Sequence, residues 1–267
     1  IGAHMKPSPP RRKRLPKENP KPLTARWPFR LIETLACLAL IGAFIGGGVY
    51  YLRTAPEFRV RTIRVEGANK LADETIIQLS GITNADCTLF LNSAAIRARI
   101  MKQPYVRECK VTRHFPGCVA IAIEERTALA TLMVNNRLFE VDDECNVLRE
   151  IEPDKPHPGP FITNADGLGY VEPGKKLDNN PVACALAVWR AFSQTAMSRE
   201  VTVSEISAAQ ENRLCMYCNE LEFEIRWGRD NFEKQARKLD IFWRSQTKPV
   251  RCKSYLDLRF GNDVACK

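Results

Sequence analysis

Cys215-Met216-Tyr217-Cys218 is the short motif in this chain whose residue types and spacing most directly suggest reaction chemistry. Redox enzymes use CxxC with the first cysteine at a helix N-terminus, where the thiolate is stabilised. Here the motif runs from an alternating segment into Cys218-Asn219-Glu220, a turn between strands, so the redox reading is disfavoured. Ten cysteines are many for 267 residues, and nine of them, Cys87, Cys109, Cys118, Cys145, Cys184, Cys215, Cys218, Cys252 and Cys266, follow an apolar run that contains Cys37. An oxidising compartment would permit disulfides among the nine, the odd number leaves at least one without an internal partner, and the connectivity stays open. A zinc site from Cys215, Cys218, Cys252 and Cys266 fits no standard ribbon spacing. Buried small thiols or structural disulfides are the default.

Other catalytic inventories are poor. Residues 1–4, ahead of Met5, read as a non-native remnant, which leaves His114 and His157. The first sits in a Phe115-Pro116-Gly117 turn and the second between Pro156 and Pro158, and surface turns suit both. Zinc hydrolases draw at least two histidines from a scaffold, and a Ser/His/Asp site needs one oriented by a buried acid. Glu124-Glu125 and Asp142-Asp143-Glu144 lie at strand ends or turns, where solvated acids are ordinary. No acid and base pair stands out and no Gly-rich phosphate loop is present. The expectation is therefore no enzyme, with no catalytic, cofactor-binding or metal-binding residues.

The elements around these residues begin with residues 31–52, an apolar run broken only by Glu33 and Thr34. At ~1.5 Å per residue, 22 residues reach ~33 Å, enough to cross a bilayer's hydrocarbon. A cleaved signal core is shorter and ends in a small-x-small site, whereas this one ends in Tyr50-Tyr51-Leu52-Arg53, so a retained anchor is expected. Residues 5–30 hold nine Lys/Arg against Glu18 alone, a tail of +8 in a chain of +9, while 53–267 carries only +2. Short Lys/Arg-rich segments stay in the cytoplasm, which places the tail inside and residues 53–267 outside. Pro7, Pro9, Pro10, Pro16, Pro20 and Pro22 keep that tail extended, and topogenic charge is favoured over nucleic-acid contact. Gly42 and Gly46 form a weak GxxxG contact signal.

Beyond the anchor, residues 58–66 alternate like a strand and end at Gly67-Ala68-Asn69. Ile76, Ile77 and Leu79 predict a short helix over 73–80 with Gly81 after it, and Asn92 predicts the N-cap of a second helix carrying Ile96 and Ile100. Residues 105–126 read as two strands about His114-Phe115-Pro116-Gly117. The order is β-α-α-β-β. After Arg126, short strands are expected at 132–134, 138–141 and 147–148, then a loop across 153–160 with four prolines. Asn180-Pro181 predicts the cap and first turn of a helix buried through Val182, Ala185, Trp189 and Phe192. Strands follow at 201–206, 213–217 and 221–227, then a helix opened by Asp230 and Glu233 with Phe232, Leu239 and Phe242, then a strand at 255–260.

Phe58, Ile63-Arg64-Val65-Glu66-Gly67, Leu89-Phe90, Pro104-Tyr105-Val106, Val111-Thr112-Arg113-His114-Phe115-Pro116 and Ile121-Ala122-Ile123-Glu124-Glu125-Arg126 together resemble the POTRA domain of the bacterial FtsQ/DivIB cell-division family. Phe139-Glu140-Val141-Asp142, Gly228, Lys238-Leu239 and Tyr255-Leu256-Asp257-Leu258-Arg259-Phe260 are similar to that family's β-domain. Ala72 and Ala128 depart from a capping Ser and a Pro usual there. The resemblance implies an α+β chain: tail at 1–30, transmembrane helix at 31–53, POTRA domain at 56–126, and a mixed, mainly antiparallel β-domain with helices at 127–267. It also implies a non-enzymatic divisome scaffold of the bacterial inner membrane, single-pass, its bulk periplasmic at the septum, binding FtsB/FtsL-type proteins and helping control septal peptidoglycan synthesis.

A sheet edge offers unpaired N–H and C=O groups to a partner's strand. The 255–260 strand is expected to be that edge, with nothing after it to cover it. Tyr255, Leu256, Leu258, Arg259, Phe260 and Asn262 are the expected contacts, with Arg229 as a charged rim contact. Other readings are a POTRA-containing envelope assembly or secretion factor, and a thiol-active envelope enzyme using Cys215 and Cys218.

Overall fold

The computed structural model describes residues 27–165, 167–210, 213–245 and 252–267, so the basic tail before residue 27 lies outside the described residues. The described residues divide into two units between Ala55 and Pro56. In the first, the apolar run forms helix α1, Trp27–Thr54. Its Arg30–Thr54 stretch is long and apolar enough to cross a membrane, and none of its apolar window is buried.

The second unit contains two sheets. Strands β1 (Thr62–Glu66), β2 (Val106–His114) and β3 (Cys118–Glu125) make a three-stranded sheet in the order β1-β3-β2, with helices α2 (Asp73–Ser80) and α3 (Ser93–Ile100) between β1 and β2. The expected β-α-α-β-β order is therefore observed. The first strand starts four residues late, because Pro56–Phe58 forms a 3-10 turn. Gly67, at φ +85°, closes it where a Cβ would stand 2.1 Å from the Ile123 carbonyl oxygen, so only glycine fits. Asn92 caps α3 by accepting from the Ala95 amide at 3.0 Å. Ile76, Ile96 and Ile100 fill the core beneath Val119 and Ile121.

The larger sheet has nine strands in the order β12-β11-β10-β9-β8-β7-β4-β5-β6. These are β4 (Ala130–Val134), β5 (Arg137–Val141), β6 (Val147–Ile151), β7 (Phe161–Thr163), β8 (Val203–Gln210), β9 (Arg213–Cys218), β10 (Glu224–Trp227), β11 (Tyr255–Asp257) and β12 (Ala265–Cys266). Asn135 and Asn136, both at positive φ, make the tight turn from β4 to β5, as that dipeptide predicts. β7 was not expected. Its three residues follow the Pro-rich loop and join the sheet's two halves, parallel to β4 on one side and β8 on the other.

Helices α4 (Asn180–Phe192) and α5 (Phe232–Ser245) pack on each other, and their apolar faces share one core with Ile206, Leu214, Met216, Ile225 and Trp227 of the sheet. The cap of α4 is Asn179, one residue earlier than expected, accepting from the Val182 amide at 3.0 Å. Val182, Ala185 and Phe192 are buried, and half-buried Trp189 donates its indole N–H to the Leu129 carbonyl at 3.1 Å. At the start of α5 the expected Asp230 and Glu233 cap is replaced by Gln235, which accepts from the Gly228 amide at 2.8 Å and donates to the Asp230 carbonyl at 2.6 Å.

Of the acids expected to be solvated, Glu124 and Asp143 are exposed, whereas Asp142, Glu144 and Glu125 are structural. Asp142 is 1% exposed and takes Arg126 at 2.6 Å, while Glu144 takes Arg126 at 2.8 Å and Arg107 at 2.7 Å. Glu140, equally buried, accepts from Tyr105 and from Arg149 at 2.8 Å. Glu125 accepts the amides of Lys70 and Leu71 at 2.8 and 2.9 Å. A low-dielectric carboxylate must be paired, and the Asp142–Arg126, Glu144–Arg107 and Glu140–Tyr105 pairs join the small sheet's chain segment to the large sheet.

Two outcomes follow. Arg126→Ala strands Asp142 without its cation, and urea unfolding of the full chain in detergent should show a loss of about 3 kcal/mol. Hydrogen bonds from Arg126 and Arg107 hold the Glu144 carboxyl at about 2, below its ordinary 4.5. A depressed carboxylate stabilises fully above its unfolded pKa and loses that contribution as pH falls through the folded value. The unfolding midpoint should therefore drop between about pH 4.5 and 2, and Glu144→Gln should flatten that part of the profile.

Candidate partner-docking surface

The sheet's two faces differ. Ile206, Ala208, Leu214, Met216, Ile225, Trp227 and Leu256 turn toward α4 and α5, so the alternate residues Glu205, Ser207, Arg213, Cys215, Tyr217, Glu224, Arg226, Tyr255 and Asp257 share the opposite face. That face carries a ladder of charges. Tyr217 donates to Glu224 at 2.9 Å, and Arg226 donates to Glu224 at 2.6 Å while its guanidinium lies 3.9 Å from the Tyr255 ring centre. Arg259 grips Asp257 with two nitrogens, at 2.9 and 2.6 Å. Burial alone would raise the Asp257 carboxyl, but the Arg259 side chain and amide hydrogen bonds outweigh it and hold it below the usual aspartate range. Ser207, Arg213, Cys215, Glu224, Arg226 and Arg259 line a shallow depression of about 360 Å³ on this face.

The expected edge strand is corrected in two ways. Only Tyr255–Asp257 is strand, not 255–260, and it is not uncovered. β10 pairs with it on one side, parallel, and β12 on the other, antiparallel, with Leu256 opposite Cys266 and Asp257 opposite Ala265. The physical reason is a hairpin that turns through Gly261 and Asn262 and is closed by the Cys252–Cys266 disulfide, Cα–Cα 5.4 Å. The Ser254 amide donates to the Lys267 carbonyl at 2.6 Å, and Lys267 donates back to the Tyr255 carbonyl at 3.1 Å. Among the described residues β12 pairs with β11 alone, which moves the open edge one strand outward.

The expected contact residues occupy different positions about this hairpin. Leu256 and Leu258 are 1% exposed and belong to the core, so their side chains support the hairpin rather than meet solvent. Tyr255 is half-buried under Arg226, and Arg259 is engaged with Asp257 yet exposed. Phe260 is 55% exposed and Asn262 is exposed at the turn. Arg229 is exposed beyond the end of β10 and makes no hydrogen bond or ion pair among the described residues.

Sequence reasoning missed Lys238. From α5 its Nζ donates to the carbonyls of Leu258 at 2.7 Å and Asp263 at 2.8 Å, with those of Phe260 and Gly261 each at 3.3 Å. This ammonium fastens the hairpin turn to the helix, and burial pulls its pKa down. A lysine 20 or more residues from the carbonyls it binds leaves no local signal.

The two CxxC sulfurs are not placed as a redox pair. Cys215 and Cys218 are three apart on β9 and so point to opposite faces. Burial raises the Cys215 thiol and pushes Cys218 up to about 12, the reverse of an activated thiolate. The considered zinc set loses two of its sulfurs to the disulfide.

The family model described as "POTRA domain, FtsQ-type" matches residues 58–126. Over 251 residues the chain is 26% identical to a protein of Rhodothermus marinus named cell division protein FtsQ, covering 89% of this chain and 87% of that one. A protein of the same name from Anaeromyxobacter is 28% identical over 227 residues, 85% of this chain and 76% of its own. One from Caulobacter vibrioides is 34% identical over 113 residues, 42% of this chain and 37% of its own. With an FtsQ-type POTRA domain on the three-stranded sheet and similarity that continues through the nine-stranded one, the chain resembles the FtsQ/DivIB cell-division proteins over most of its length.

Proposed function

We propose that this protein is a non-enzymatic, membrane-tethered docking platform of the division machinery that captures an FtsB/FtsL-type partner and helps control septal peptidoglycan synthesis. The observation that carries this reading is the open edge at β12, the outermost strand of the large sheet, flanked by an exposed Phe260 and Asn262. Tyr255 and Lys267 form a hydrogen-bonded pair, so by antiparallel alternation Ala265 bonds inward and Val264 and Cys266 direct their amides and carbonyls outward. A partner strand would pair with those groups, while Phe260, Asn262, Arg259 and Tyr255 supply side-chain selectivity and Arg229 a rim charge.

The +8 tail supports an N-terminus in the cytoplasm and residues 53–267 outside it, at the septum of the inner membrane. A disulfide in the hairpin agrees with an oxidising compartment. On this reading 56–126 serves recruitment to the division site and 127–267 serves capture.

Three substitutions test it in the full chain in detergent, with affinity for the FtsB-type protein of the same cell as the readout. Phe260→Ala removes an aromatic that is exposed in the free protein, so capture should weaken about tenfold, or ~1.4 kcal/mol, with the thermal midpoint unchanged. Val264→Pro deletes an outward donor while leaving the β11 ladder, so capture should fail while the Lys267 amide keeps its slow hydrogen exchange. Unchanged affinity in both would refute the edge. Lys238→Met leaves hairpin carbonyls without their donor, at a cost of about 1–2 kcal/mol in stability, and should speed exchange across 258–263 and weaken capture.

A further inference from the structure

We infer that Cys252–Cys266 is a redox modification site, a substrate for a small or protein dithiol, whose state decides whether the docking edge is formed. The inference rests on the docking reading above. The loop closed by this bridge, separated by 14 positions, contains Tyr255, Leu256, Leu258, Arg259, Phe260 and Asn262, six of the seven residues assigned to partner contact. The bridge lies across β11 and β12 at the open end of the hairpin, where Cys266 stands opposite Leu256. At the other end the turn is fastened independently, by Lys238 on four carbonyls.

β12 is two residues long, and its hold on β11 is a short backbone ladder extended by the Lys267 bonds to Ser254 and Tyr255. An edge strand so short, paired on one side, opens at little free-energy cost unless a covalent link holds it. The two cysteines are also unequally placed, since Cys266 is exposed and Cys252 is 7% exposed in the core. Attack from solvent therefore falls on Cys266. A thiolate of the dithiol bonds to the Cys266 sulfur, the S–S bond breaks, and Cys252 leaves as a thiolate that takes a proton. The reagent's second thiolate then attacks the mixed disulfide and releases Cys266, which is protonated. The protein gains two electrons and two protons, and the dithiol is oxidised to its disulfide.

With the bridge open, the Lys238 clamp keeps β11 and the turn in place while β12 frays, so the outward groups of Val264 and Cys266 no longer hold a strand geometry. Burial of Cys252 and Leu256 keeps β11 in the core in either state. The structure thus confines the redox effect to the edge itself.

The test uses the full chain in detergent, oxidised or treated with dithiothreitol, with intact mass reporting the two-hydrogen gain. Hydrogen exchange at the Lys267 amide should accelerate at least tenfold on reduction while amides in α4 and α5 are unchanged, and affinity for the FtsB-type protein should fall at least tenfold. A Cys252→Ser, Cys266→Ser double variant should behave as the reduced chain with or without dithiothreitol. If the reduced chain keeps the oxidised exchange rate at Lys267, the inference is overturned whatever the affinity. Exchange that accelerates while affinity holds overturns the link to docking. If the oxidised chain itself captures no partner, the docking reading fails, and exchange alone decides whether the bridge orders β12.

Discussion

A sheet must end, and where it ends its backbone amides and carbonyls have no ladder partner; that constraint governs the shape of the large sheet and what it can do. Nine strands share one hydrogen-bonded array, and helices α4 and α5 bury one face of part of it, so any protein partner meets either the polar face or an edge. The polar face is already internally satisfied. Glu224 is held by Tyr217 and Arg226, and Asp257 by Arg259, which leaves little unpaired charge there to reward a small ligand. At β12, by contrast, no strand pairs on the outer side among the described residues.

Much of the buried charge builds architecture. Asp142, Glu140 and Asp257 are almost wholly buried, and each meets an arginine at hydrogen-bonding distance, so each charge is committed to a partner within the fold. Burial raises the thiols at Cys109, Cys145, Cys215 and Cys218, which lowers their nucleophilic fraction. Both trends belong to ionisable groups that lock geometry.

Periodicity made the first half readable. The alternation in β2 and β3, the isoleucine spacing of α2 and α3, and the Asn92 cap are local rules acting over fewer than ten residues, and each appears as expected. The Asn135-Asn136 turn is equally local, since only left-handed backbone closes so tight a hairpin. What was not legible depends on distance. β7 is three residues whose strand state comes from having β4 and β8 on either side, and β12 is two residues that exist as strand through the pairing with β11 and the Cys252 bridge. Neither carries a pattern of its own. Asp142 read as a turn acid because its partner, Arg126, comes to it through the packing of two sheets. Lys238 read as an ordinary helix lysine beside the core residue Leu239, and its acceptors are assembled by a hairpin of which a helix pattern says nothing.

The large sheet has two ends, and the chain treats them differently. At β6 the segment around Gly174 folds back, so that Gly174 donates to the Val147 carbonyl at 2.7 Å, Val147 donates to Lys175 at 2.9 Å, and Asn146 bridges Lys176. Arg149 on the same strand is committed to Glu140, and Glu150 to Arg137. A partner strand arriving there would have to displace backbone already paired and charges already matched. At β12 no such segment lies alongside among the described residues, while the strand's inner side is secured by a disulfide and its turn by an ammonium on four carbonyls. Rigidity in the free state lowers the entropy lost on pairing, so a secured, open edge binds better than an equally open but fraying one. On the docking proposed above, that asymmetry favours β12 over β6, and the covalent and ionic fastenings behind β12 would count toward recognition although neither need touch the partner.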